Sequence, residues 1–147
     1  MVSKIHIVIT LLLLLVIACS CGKKQTAEEW KTKGDTLSGQ GKYEEAIKFY
    51  DKAVEVDPKF AIAWFKKGGM LYSLEKYEEA IKFYDKAIEV DPKLPDAWVM
   101  KGVTLGRLKK YEEAIKCYDK VIEIDPNFAD RYGVKGVKEK ALKALGK

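Results

Sequence analysis

Side chains able to do chemistry are few in this chain and poorly placed for it. The one histidine is His6, inside an apolar segment expected to be removed, so the mature chain would lack the commonest general base and metal ligand. Cys19, Cys21 and Cys117 are odd in number and lack the paired spacing of a zinc site, so neither a metal centre nor a disulfide framework is expected. Tyrosine, lysine and glutamate are plentiful, but they recur in a fixed pattern, and no stretch departs from it to gather a unique polar constellation. These residues predict no catalytic group, no cofactor and no small-molecule substrate. The 27 basic and 22 acidic residues, net +5, are interleaved along the chain, whereas nucleic-acid binding calls for a segregated basic patch. With 48% apolar residues the chain should fold, and 147 residues hold one domain or a short array.

The cysteine chemistry lies at the N-terminal end. Lys4 is the only charge before an almost wholly apolar run from Ile5 to Ala18. As a helix that run would span about 21 Å, short of the ~30 Å hydrocarbon core. A positive start, a short apolar stretch and a small residue at its end describe an export signal. The end of the run, Val16-Ile17-Ala18-Cys19, resembles the lipobox of prokaryotic lipoproteins. That resemblance implies lipid attachment at Cys19 and cleavage just before it; Cys21, preceded by Ala18-Cys19-Ser20, fits less well. Residues 1–18 are thus expected to be a signal peptide (lipobox 16–19) and 19–26 a short tether. Plain secretion and an uncleaved anchor remain the alternatives.

The elements that must position everything else come from a repeat. Lys42 to Ala53 reads KYEEAIKFYDKA, Lys76 to Ala87 repeats it, and Lys110 to Val121 differs only at Cys117 and Val121. The offset is 34 residues, which frames units at 27–60, 61–94 and 95–128. Trp30, Trp64 and Trp98 fall at the fourth position of their units and Gly34, Gly68 and Gly102 at the eighth. Ala46, Ala80 and Ala114 take the twentieth, Tyr50, Tyr84 and Tyr118 the twenty-fourth, and Pro58, Pro92 and Pro126 the thirty-second. Trp64, Gly68 and Leu71 share one helical face, and Tyr43, Ala46, Ile47, Tyr50, Ala53 and Val54 share another. Glycine and alanine let two helices approach closely, the aromatic residues fill the flanks, and Asp-Pro ends the second helix. No single hairpin buries both faces, so the units must stack.

This pattern resembles the tetratricopeptide repeat (TPR) family over residues 27–128. The resemblance implies an all-α fold, a right-handed α-solenoid of three TPR units. Lys33, Lys67 and Lys101 depart from it at the seventh position, where the family usually has leucine; their stems can cover the packing face while the amines reach water. Residues 129–147 begin like a fourth unit, with Tyr132 and Gly136 at its fourth and eighth positions, but Glu139 stands where an apolar residue is expected. They read as one capping helix, seven helices in all.

In TPR proteins the first helices of the units line a concave groove that binds extended peptides or partner helices, through positions 2, 5, 9 and 12. Here these are Glu28, Lys31, Asp35 and Ser38, then Ile62, Phe65, Gly69 and Tyr72, then Asp96, Val99, Val103 and Gly106, with Met100 alongside. The groove should be polar at one end and apolar toward the middle, with Ile62, Phe65, Tyr72, Val99, Met100 and Val103 as the partner-binding residues. Val134, Val137 and Ala141 of the cap could instead cover part of that stripe. The lysine, asparagine and arginine clamp that some TPR domains use for chaperone tails is not matched. Phe49, Phe83 and Cys117, at position 23, read as partly exposed packing residues, with Cys117 an apolar filler. The expected function is an extracytoplasmic, membrane-tethered module that holds another protein, itself expected to be membrane-attached in view of the short tether. The alternative is a structural subunit of a larger cell-envelope complex of the pilus or outer-membrane biogenesis type.

Overall fold

A computed structural model describes residues 24–146. The expectations for the export segment, Cys19 and Cys21 lie outside the described residues. Within them the chain folds as eight helices and no strand: α1 Ala27–Gly39, α2 Tyr43–Val56, α3 Ala61–Ser73, α4 Tyr77–Val90, α5 Pro95–Arg107, α6 Tyr111–Ile124, α7 Pro126–Arg131 and α8 Val134–Ala144. None of them is long and apolar enough to cross a membrane. The helices pack as antiparallel pairs, α1 with α2, α3 with α4 and α5 with α6, and each pair stacks on the next as an α-solenoid.

Local chemistry sets the helix ends. Thr26 and Glu29 form a capping box at the start of α1: the Thr26 hydroxyl accepts from the Glu29 amide at 3.2 Å and Glu29 accepts from the Thr26 amide at 2.9 Å. Asp57 and Asp91, each followed by proline, close α2 and α4 in extended geometry. The turn inside each pair needs one left-handed residue, which is Gly41 in the first unit but Glu75 and Lys109, both at φ 60°, in the others.

The pairs close on a glycine–tyrosine contact repeated three times. A Cβ placed on Gly34, Gly68 or Gly102 would lie 2.7, 2.7 or 2.6 Å from Cε1 of Tyr50, Tyr84 or Tyr118. Only glycine leaves room for the ring, which is why the eighth and twenty-fourth positions go together. Ala46, Ala53, Ala80, Ala87 and Ala114 are wholly buried on the same seam.

Stacking between units carries a second repeated contact. Lys67 Nζ lies 2.5 Å from Asp51 of the preceding unit, Lys101 lies 2.5 Å from Asp85, and Lys138 of α8 lies 2.5 Å from Asp119. The seventh-position lysines do more than shield the seam with their stems: they pin each unit to the one before.

The C-terminal cap differs from its expected form. In place of one helix there are two, because Asp125 caps a new helix with Pro126 at its first position and Gly133, at φ 65°, breaks the chain between α7 and α8. The count is therefore eight among the described residues, against the seven expected. The fourth-unit register is lost with it. Tyr132 is 61% exposed and its ring lies tilted against that of Phe128, centroids 4.3 Å apart, and a side chain at Gly136 would meet nothing within 4 Å. Lys138, three residues beyond Lys135 at the seventh position of a fourth unit, takes the last place in the lysine–aspartate series, while Lys135 pairs with Asp130.

Candidate functional site

The face formed by α1, α3 and α5 changes character along its length. At the α1 end, Lys31 lies 2.8 Å from Glu28 and 3.2 Å from Asp35, and Lys66 of α3 reaches Asp35 at 3.6 Å. Hydrogen bonding to Glu28, with Asp35 beside it, raises the Lys31 pKa and keeps the ammonium charged. Asp35 also accepts from the Tyr50 hydroxyl at 2.8 Å. The ninth-position carboxylate thus ties the groove surface to the core of its own unit. Burial, reinforced by Asp35, holds the Tyr50 phenol far above its usual range.

In the second unit that carboxylate is replaced by Gly69, and the Tyr84 hydroxyl is buried without a partner. Thr104 lies near it, its own hydroxyl donating to the Met100 carbonyl at 2.6 Å. Phe65, Tyr72 and Met100 are half-buried and pack together on the cluster of Leu71, Ala80 and Tyr84. Phe65 stands 6.0 Å from the Tyr84 ring and Tyr72 5.4 Å from Tyr77. The Arg107 guanidinium donates to the Tyr72 hydroxyl at 3.2 Å and so joins α5 to α3 along the groove wall. Between Phe65 and Tyr72, Gly69 leaves open space: a Cβ there would meet nothing within 4 Å.

Val99 and Val103 are also half-buried, but they pack against the C-terminal cluster that Val134 and Ala141 complete. The six expected groove residues therefore separate. Phe65, Tyr72 and Met100 form one patch, Val99 and Val103 join the capped end, and Ile62 is half-buried outside both clusters. Phe65 and Val99, on the groove side of their helices, each also pack against a core cluster. Val137 is 38% exposed and lines a hollow together with Val103 and Gly106.

On the remaining candidates, Cys117 is buried and burial pushes its thiol up to about 11, as befits a filler. Phe49 and Phe83 lie against Trp30 and Trp64, at 5.8 and 5.9 Å. Sequence reasoning missed two features: the Lys67–Asp51 and Lys101–Asp85 pairs and these aromatic pairs. Their signal was present, since lysine at position 7, aspartate at position 25, tryptophan at position 4 and phenylalanine at position 23 recur with the repeat.

Stacked helical hairpins, joined by small-residue seams and carrying an apolar patch on the face of their first helices, define a helical-repeat solenoid. The tetratricopeptide repeat profile matches residues 31–95 and again 95–128, and the chain belongs to that family. Among solved structures, the first TPR of Spaghetti (RPAP3) bound to the HSP90 peptide SRMEEVD is 29% identical with a TM-score of 0.78, over 85% of this chain and 97% of that one. The first TPR domain of human RPAP3 is 29% identical with a TM-score of 0.76, over 82% and 93%. The TPR2B domain of yeast Sti1 in complex with an Hsp70 peptide is 25% identical with a TM-score of 0.74, over 80% and 96%. No curated protein matches at a significant level.

Proposed function

We propose that this chain is an extracytoplasmic, lipid-tethered TPR module that holds a protein partner in the groove of α1, α3 and α5. The observation that carries the reading is the patch of Phe65, Tyr72 and Met100 beside the open space at Gly69. An apolar patch flanked by charge is the usual form of a peptide-binding surface. Similar TPR domains hold HSP90 and Hsp70 peptides, which supports a polypeptide ligand. The ligand class proposed here is different. Phe65, Gly69, Val99 and Val103 offer no cationic clamp, so an extended segment with apolar side chains suits this groove better than an acidic tail. The stretch from Cys19 to Thr26 is about eight residues, and a chain of that length reaches at most about 28 Å. The groove would then stay near the membrane and meet a membrane-attached protein or a flexible tail.

The test is a photo-crosslinking side chain at position 65 in cells, with identification of what it captures. One dominant partner is expected, lost when Gly69→Trp fills the open space without touching the core. Cys19→Ser should abolish lipid labelling and reduce that capture, while Cys21→Ser should do neither. Capture that survives Gly69→Trp refutes the groove, and an unchanged mature mass for Cys19→Ser refutes the lipid tether.

A further inference from the structure

A second binding slot lies away from the groove, on the seam between α5 and α6. Trp64 and Trp98 are held in the same pose, each indole N–H donating to the carbonyl of the preceding proline, Pro58 or Pro92, at 3.0 Å. Each also lines a surface hollow, but the two differ in what covers the indole face. Phe83 stacks on Trp64 with ring centroids 5.9 Å apart and planes 12° apart, and Phe49 covers Trp30 in the first unit at 5.8 Å. In the third unit Cys117 stands where the phenylalanine would be, and no aromatic ring among the described residues stacks on Trp98. A cavity of about 570 Å³ opens there, lined by Trp98, Lys101, Leu105, Cys117 and Lys120 among others.

The chain itself displays what fits this space. In the second unit Lys67 Nζ lies 4.0 Å from the centroid of Phe83, and in the first Lys52 Nζ lies 5.2 Å from that of Phe49. Their counterparts in the third unit, Lys101 and Lys120, line the cavity, with Lys101 drawn to within 5.8 Å of the Trp98 ring. Ammonium groups favour the electron-rich face of an aromatic ring over an aliphatic group of equal size, and an exposed indole face favours an offset ring. We propose that the slot docks an aromatic side chain, phenylalanine or tyrosine, of a partner polypeptide. The ring lies on Trp98 and against Cys117 and Leu105, beneath Lys101 and Lys120. It takes the place that Phe83 holds in the second unit. The slot uses positions 4, 7, 11, 23 and 26 of its unit, none of which lines the groove, so the two sites are occupied independently.

The full chain with its tryptophan indoles labelled with nitrogen-15 is titrated with N-acetyl-phenylalaninamide and N-acetyl-leucinamide and followed by NMR. The Trp98 indole resonance is expected to move while Trp64 and Trp30 stay in place, with the aromatic probe binding about tenfold more tightly than the aliphatic one. Cys117→Phe, which rebuilds the arrangement of the second unit, should abolish the response and raise the melting temperature. Cys117→Ala should keep the response. The proposal is overturned by equal binding of the two probes, by a response that survives Cys117→Phe, by no response, or by a lower melting temperature of Cys117→Phe. Sedimentation of the unliganded chain provides a further test. A dimer that Cys117→Phe dissociates would seat a second copy in the slot and overturn the assignment to a different partner.

Discussion

The Tyr50 hydroxyl donates to Asp35 at 2.8 Å, and one repeat later, where Gly69 replaces that aspartate, the Tyr84 hydroxyl is buried without a hydrogen-bond partner. The two tyrosines occupy the same position in their units, so the missing acceptor can be supplied. Gly69→Asp should be more stable than Gly69→Ala by about 1 kcal/mol, the net value of one buried hydrogen bond. Gly69→Ala should itself exceed the native chain, because glycine inside a helix is unfavourable. Chemical denaturation of the three proteins decides it, and a Gly69→Asp no better than Gly69→Ala would show that Tyr84 cannot reach the new carboxylate.

Neighbouring glycines should respond in opposite ways to one substitution. Gly68 faces the Tyr84 ring at a distance no side chain tolerates, whereas Gly69 faces open space. Gly68→Leu overpacks the α3–α4 seam and should cost about 1–3 kcal/mol. Gly69→Leu should leave the melting temperature level or higher. Equal losses in both variants would place the groove on the wrong side of α3.

The lysine–aspartate series should read out as salt-sensitive stability. The Lys67 side chain is 14% exposed and that of Asp51 38%, so the pair is partly screened by water and contributes under about 1 kcal/mol. Lys67→Met keeps the stem and removes the charge. Its deficit in melting temperature should shrink in high salt, while Lys67→Ala, which also strips packing from Phe83, should stay destabilised. A Lys67→Met deficit that does not depend on salt would assign the lysine a packing role only.

Alkaline pH should destabilise this protein. Burial pushes Cys117 up to about 11 and Tyr118 up to about 12, and it raises Tyr50 and Tyr84 further. In the unfolded chain these groups ionise near their ordinary values, about 8.5 for cysteine and 10 for tyrosine. Above those values the unfolded chain has lost protons that the folded chain still holds. The stability these groups contribute is therefore fully present below about pH 8.5 and declines as pH rises toward 12. Melting temperatures measured from neutral pH upward should fall in that window, and a flat profile would contradict the burial of these groups.

The repeat was legible in the chain because its cause is local. A glycine needed by a tyrosine twenty-four positions into the unit, and a proline that stops a helix, leave marks at fixed spacing. Other features depend on where two units meet. The Lys67–Asp51 pair joins residues sixteen apart across a stacking interface that periodicity within one unit does not describe. The cap was misread because it has no second copy to be compared with. Gly133 looked like one more residue of a helix, and only its left-handed φ separates α7 from α8. The groove was half legible. Helical spacing puts Phe65 and Val99 on one side of their helices, but how far each sinks into a core is decided by the neighbours that tertiary packing brings.

The three-residue slip that hands Asp119 to Lys138 instead of Lys135 also governs how this protein can lengthen. The end of α6 presents a surface matched to one irregular helix and not to the start of another unit. A duplicate placed after the cap would find no aspartate in step with its seventh-position lysine. A duplicate inserted between existing units would find one on each side, since Asp51 and Asp85 meet their lysines identically. A unit inserted between existing ones therefore meets a ready-made ion pair, which a unit added after α8 does not.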